Sequence, residues 1–255
     1  MTPNISELNH TNDYLLDKRV KIFQPVNGYR ASTDAVLVSS LISKVKSTDK
    51  ILDVGSGTGA ISLCLASRFQ AIRPQILGLE LQSELCMLSN QSAQANGFSE
   101  FLSYQNADIR QKLTNIPPCS FQHVISNPPY SEHDMPSPNP SKAAAHNHQG
   151  LTLMDWLHFC LKMTAPQGHL YFINRAEAIT ETLSILQGKA GAIKIIPLFS
   201  KQGQVAKRVM ITAQKDSKAP TQILPGLITH NHDGTYTPQT QQILRAGKGF
   251  FDTLG

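Results

Sequence analysis

The chain has 255 residues, 40% of them in the apolar set AVILMFWYC and 16% charged, which fits a folded protein and excludes a disordered or collagen-like one. Lys plus Arg is 23 and Asp plus Glu is 18, so the net charge of +5 mildly favours an anionic partner and says nothing about fold. No stretch reaches the roughly 18 apolar residues of a membrane span, and the polar opening from Met1 to Arg19 lacks the apolar core of a signal peptide. A cytoplasmic protein with no membrane partner is expected. Cys64, Cys86, Cys119 and Cys160 are scattered, with no CxxC pair and no His at ligand spacing, so neither a metal site nor a disulfide framework is expected.

Residues 1–48 read as an N-terminal extension packing on a domain that spans 49–215, and 216–255 as a proline-punctuated, extended tail. From residue 50 onward short strands alternate with helical patterns, which predicts an α/β fold with a mostly parallel sheet covered on both faces. Lys50–Val54 is the first strand of that series. Ala60–Phe69, with Ile61, Leu63, Cys64, Leu65 and Ala66, has the density of a buried helix. Strands follow at Gln75–Glu80, Phe101–Ala107 and Phe121–Ser126, and a helix at Gln82–Asn96 ends on Asn96-Gly97. The stretch from Asn127 to Gly150 is rich in proline and poor in apolar periodicity, so it reads as a long loop, and long loops inside compact domains are usually functional. Beyond it lie a helix at Thr152–Met163, a strand at Gly168–Ile173, a helix at Ala176–Gly188, and a closing strand pair at Ala192–Phe199 and Lys207–Ala213. Trp156, on the apolar pattern of its helix, reads as core.

Asp53-Val54-Gly55-Ser56-Gly57-Thr58-Gly59 joins a strand to a helix N-terminus, at the carboxyl edge where open α/β sheets bind ligands. Glycine there serves a tight turn, a close ligand, or both. The spacing of Gly55, Gly57 and Gly59 behind Asp53 differs from the dinucleotide fingerprint and suits a ligand without a pyrophosphate, whose ribose and amino-acid portion lie against the turn. Glu80, 21 residues past Gly59, ends the next strand, where a carboxylate can accept both ribose hydroxyls. Asp108 ends the third and can accept from an adenine amino group. Each acid alone is an ordinary strand terminus; three at consecutive strand ends beside one glycine turn point to an adenosine site.

Ser126-Asn127-Pro128-Pro129-Tyr130 follows the fourth strand onto the same edge. Residues before proline are held extended, so the turn is stiff and projects its polar groups. The Asn127 amide oxygen and the Pro128 carbonyl are two acceptors for the two hydrogens of a planar exocyclic amine or amide. Drawing both hydrogens out of plane returns the delocalised lone pair to nitrogen. Tyr130 can stack on the ring.

These residues carry a resemblance. Asp53 to Gly59, Glu80, Asp108 and Asn127 to Tyr130 look like the ordered motifs of Rossmann-like, class I S-adenosylmethionine-dependent methyltransferases acting on amino nitrogens. The resemblance implies a seven-stranded sheet with an antiparallel last strand, and S-adenosylmethionine as cofactor. The segment from Gln24 through Gly28, Tyr29, Arg30, Thr33 and Asp34 to Leu37 is similar to the leader of the bacterial tRNA(Val) adenine-N6 methyltransferase family, in its alphaproteobacterial branch. Similarity to that branch continues at Pro136–Pro140, Ala143–His146, Ala206–Val209, Leu224–Leu227 and Tyr236–Pro238, so it spans nearly the whole chain.

The resemblance further implies that Thr33 and Asp34 support the cofactor, although either also reads as the N-cap of the helical run Ala35–Leu41. Arg30 is a candidate for a phosphate or the cofactor carboxylate, or plain surface. Lys194, Lys201, Lys207, Arg208, Lys215 and Lys218, against the single acid Asp216, make a candidate phosphate track, with Lys142 and His146 in the long loop as further RNA contacts. The expected function is methyl transfer to an exocyclic amino nitrogen of RNA, adenine N6 in a tRNA anticodon arm, by an assumed monomer without a metal. The alternatives are a protein glutamine-N5 methyltransferase, because the same tetrad grips a side-chain amide, and a non-catalytic RNA-binding module.

Overall fold

The structure, a computed structural model, describes residues 9–128 and 151–254. In chain order its elements are β1 (His10–Leu15), β2 (Val20–Pro25), α1 (Thr33–Ser39), β3 (Lys50–Val54), α2 (Ala60–Arg68), β4 (Gln75–Glu80), α3 (Ser83–Ala95), β5 (Leu102–Asn106), β6 (Phe121–Ser126), α4 (Leu153–Met163), β7 (Thr164–Arg175), α5 (Ile179–Leu186), β8 (Ala190–Phe199), β9 (Arg208–Lys215), β10 (Gln222–Ile223), β11 (Leu227–Ile228) and α6 (Pro238–Leu244). β3, β4 and β6 have the bounds predicted for them. The reason is legible: β3 and β6 are buried over nearly their whole length, as parallel strands covered on both faces must be, and each carries an apolar centre, Ile51-Leu52 and Val124-Ile125.

β5, β4, β3, β6, β7, β9 and β8 lie side by side in that order. β5 through β7 are mutually parallel, and β9 runs antiparallel to both β7 and β8. These seven have the arrangement with a reversed last strand that the resemblance implied, and β10 and β11 enlarge the sheet to nine strands. Alternation along each strand sends side chains to two separate cores. Ile51, Ile125, Ile173 and Met210 join residues of α1, α2 and α3 on one face, while Leu52, Val124, Phe172 and Ile211 join Trp156, Leu157 and Cys160 of α4 and Ile185 of α5 on the other.

β1 and β2 form an antiparallel hairpin. Asn96, the C-cap of α3, accepts from the Lys21 amide at 2.9 Å and donates to its carbonyl at 2.7 Å, and the Phe23 amide donates to Ser92 Oγ at 2.9 Å, so the leader is stitched to α3. α1 is capped by Ser32, whose hydroxyl accepts from the Asp34 amide, and not by Thr33 or Asp34. β7 begins four residues earlier than its predicted start because Thr164 already pairs with Phe121, before a register shift between Phe121 and His123.

The segment from 216 was read as extended, and the structure departs from that reading. β10 and β11 both pair in parallel with β8, and α6 starts on Thr237-Pro238, a side-chain N-cap followed by proline at the first helical position. Leu227, Ile243 and Phe250 are fully buried. Among the described residues no helix is long and apolar enough to cross a membrane.

Candidate active site

The strand order reverses at β3, with β4 and β5 on one side and β6 and β7 on the other, so the carboxyl end of β3 is the topological switch point of the sheet. The glycine turn sits there. Its Gly55 and Ser56 amides both donate to the Leu79 carbonyl at 2.9 Å, which ties the turn to β4, and Gly59 caps α2 with φ +85°. Gly55 and Gly57 have φ of +72° and +56°, and neither has room for a side chain. A Cβ on Gly55 would lie 2.7 Å from the Trp156 ring, and one on Gly57 would lie 2.5 Å from Cε1 of Tyr29.

The three predicted acids take three different situations. Asp53 is fully buried behind the turn, where its Oδ2 accepts from Ser62 Oγ at 2.5 Å while Oδ1 has no partner; burial raises its pKa to about 7. Glu80 lies against the front of the turn: Oε2 accepts from the Gly57 amide and Oε1 from the Gln82 amide, each at 2.8 Å. Burial pushes Glu80 up, and these amide donors oppose the shift. Asp108 accepts from its neighbour Arg110, with contacts to Nε and Nη2 between 2.6 and 3.0 Å, so its carboxylate is already partly used. Glu80 and Asp108 share one small cavity with Gly55, Leu81, Ala107 and Trp156, whereas Asp53 stands outside it.

Asn127 leaves the end of β6 beside this turn. Its Oδ1 is buried and has no hydrogen-bond partner, and Pro128 follows it, also buried. Pro129, Tyr130, Lys142 and His146 lie outside the described residues. The strand end is fixed by a short relay in which Trp156 Nε1 donates to Ser126 Oγ at 2.9 Å and Ser126 Oγ donates to the Val54 carbonyl at 2.7 Å. Trp156 is therefore a core residue, as expected, and also one wall of the cavity.

The leader contributes from the other side. Thr33 is exposed, and Asp34 is buried and forms an ion pair with Arg208 of β9. That pairing ties Arg208, read as an RNA contact, to the leader; Lys207 beside it is exposed. Arg30 is engaged within the hairpin by Asp13 at 2.7 Å and Thr11 at 3.0 Å. Tyr29, Ser126 and the cavity face of Trp156 were missed from sequence. Their only signal was adjacency: Tyr29 sits in the leader string, and Ser126 precedes the tetrad.

The residues suit S-adenosylmethionine. Ser56 Oγ, Thr58 Oγ1 and Asn127 Oδ1 are three buried oxygens in and beside one turn that have no partner in the protein, and the turn leaves no space for side chains of its own. Among the described residues no group of three His, Cys, Asp or Glu side chains is arranged to hold a metal ion.

Comparison with known proteins agrees with this geometry. The model of the methyltransferase small domain family matches residues 31–144. The tRNA1(Val) (adenine(37)-N6)-methyltransferase of Shewanella halifaxensis is 31% identical over 197 residues, 75% of this chain and 77% of that protein. This chain belongs to that enzyme family. The enzyme of the same name from Actinobacillus pleuropneumoniae serotype 5b is 28% identical over 224 residues, 85% of this chain and 89% of the relative. Among solved structures, a predicted O-methyltransferase, protein Atu636 from Agrobacterium tumefaciens, superposes with a TM-score of 0.70 at 24% identity, over 85% of this chain and 97% of that one. Pyrococcus horikoshii TYW2 in complex with MeSAdo gives a TM-score of 0.55 at 8% identity, over 82% and 72%. The family makes the chain a methyltransferase, and the fold is that of the class I S-adenosylmethionine-dependent enzymes.

Proposed function

We propose that this chain methylates the N6 amino group of adenine in a tRNA, at the anticodon-arm position for which its relatives are named, in the cytoplasm. The observation that carries the reading is the Asn127 amide oxygen, buried and unpartnered beside the glycine turn. A buried acceptor left unsatisfied costs about 1–3 kcal/mol, so it is retained where a substrate donor satisfies it.

Bound S-adenosylmethionine supplies an electrophilic methyl carbon on a sulfonium. Glu80 receives the ribose hydroxyls: each of its oxygens accepts one backbone amide and keeps a lone-pair direction free. Asp108, held in place by Arg110, accepts from the adenine amino group of the cofactor in the same way. Gly55, Gly57 and Gly59 admit the cofactor to the backbone, Asp53 buttresses the turn from behind, and Asp34, with Thr33 beside it, holds the leader against β9.

Asn127 Oδ1 and the Pro128 carbonyl accept the two hydrogens of the target amine and restore its lone pair; Tyr130 stacks on the base and Pro129 stiffens the turn. The Trp156–Ser126–Val54 relay keeps Asn127 in register with the turn. No general base is needed, because a methylated aryl ammonium is a strong acid and loses its proton to solvent. The target adenine reaches Asn127 by leaving its stack. Lys207, the exposed part of Arg208, Lys142 and His146 meet the RNA backbone.

The test is transfer of labelled methyl from S-adenosylmethionine to bulk tRNA from a strain lacking this protein, followed by nucleoside analysis. Label in N6-methyladenosine is expected. Label confined to another nucleoside, or no label in any RNA, would overturn the substrate assignment.

A further inference from the structure

Tyr29 lies across the glycine turn in a setting that no motif described. Its ring rests on the α-carbon of Gly57, close enough that a Cβ there would lie 2.5 Å from Cε1, 3.1 Å from Cζ and 3.3 Å from Cδ1. The amide of that same Gly57 donates to Glu80 at 2.8 Å, which puts the ring and the carboxylate on one residue of the turn. The ring cannot drift, because the loop that bears it is pinned on both sides. Gln24 Oε1 accepts from the Ala31 amide at 2.7 Å, and Arg30 grips Asp13, Thr11 and the Pro25 carbonyl; the hairpin behind them is stitched to α3. Burial, and then the charge of nearby carboxylates, Glu80 first, push the phenol up to about 12, so Tyr29 stays protonated.

An aromatic ring beside a carboxylate is a seat for a cation. The cofactor and its product differ at one atom: S-adenosylmethionine carries a positive sulfonium where S-adenosylhomocysteine carries a neutral thioether, and the rest of the two molecules is the same. We infer that Tyr29 raises this protein's affinity for the charged cofactor relative to its spent product, with its ring as an aromatic wall beside Glu80. The inference rests on the reading that the glycine turn is the cofactor seat.

The test is titration of the full-length protein with each ligand separately, followed by calorimetry and by the fluorescence of Trp156, the chain's one tryptophan, whose ring touches Gly55. Wild type, Tyr29→Phe, Tyr29→Leu and Tyr29→Met are compared, the two aliphatic variants guarding against a folding failure in either. Tyr29→Phe keeps the ring and should keep the ratio of the two dissociation constants. The aliphatic variants should weaken S-adenosylmethionine on the order of fivefold, as loss of a cation–ring contact does, and S-adenosylhomocysteine less than twofold. Equal weakening of both ligands would make Tyr29 a steric wall only and overturn the inference, as would no change in either. If wild type binds neither ligand, the cofactor reading itself fails, and this inference fails with it.

Discussion

Asn127 and Asp53 each hold one buried, unpartnered oxygen, and their placement separates their roles. Asn127 is on the substrate side of the turn, so Asn127→Ala should lower kcat by about 10²–10³ with cofactor affinity within twofold, measured by methyl transfer and by calorimetry. A variant with wild-type turnover would remove the tetrad from the mechanism. Asp53 is behind the turn, and its effect is on folding. With a folded-state pKa of about 7 against an unfolded 3.8, the native state keeps a proton that the unfolded chain has already lost, so stability falls as pH rises from about 4 to about 7 and is level above that. Asp53→Asn cannot lose a proton; in urea titrations its advantage over wild type should grow across that window by on the order of 4 kcal/mol. These two residues were named from sequence because strand ends and turns mark position. That Asp53 is sealed off and Asp108 shared with Arg110 was not legible, since position along a strand does not say which side of a turn a carboxylate ends on.

Among the elements, the leader and β9 are joined by the Asp34–Arg208 ion pair, across 174 residues of sequence. A double-mutant cycle with Asp34→Asn and Arg208→Gln should give a coupling of about 1–2 kcal/mol, modest because Arg208 is about one-third exposed. Lys207→Gln should leave stability alone and reduce the salt dependence of tRNA affinity by about one counterion. An unchanged salt slope would return Lys207 to plain surface. The parallel strands were legible as short segments with apolar centres between turn signals, and α4 because its helix has an apolar stripe. α6 was not, since Pro238–Leu244 offers only Ile243 and Leu244 as apolar residues, too few for a periodic signal. Its start was spelled out all the same in Thr237-Pro238, a capping pair that sequence reading took only as a point of similarity.

For the molecule as a whole, the segment after residue 216 contributes Leu227, Ile243 and Phe250 to the core. Phe250 is fully buried, its amide donates to the Ser40 carbonyl at 2.8 Å, and Arg68 Nε donates to the Gly247 carbonyl at 2.9 Å, so the end of the chain is fastened to α1 and α2. Phe250→Ala should cost about 3–5 kcal/mol of stability in chemical denaturation. The sequence does not show this because burial in such a segment comes from single, widely spaced anchors, and single anchors have no period.

The pairing of β10 and β11 with β8 has another consequence. A sheet that stopped at β8 would offer a row of open amides and carbonyls along Lys194–Phe199, a template on which a second chain can dock strand to strand. The two short strands occupy that row, one at each end, and thereby act as a guard against aggregation. Truncation at residue 216 should for that reason yield concentration-dependent self-association in sedimentation, rather than a merely looser monomer.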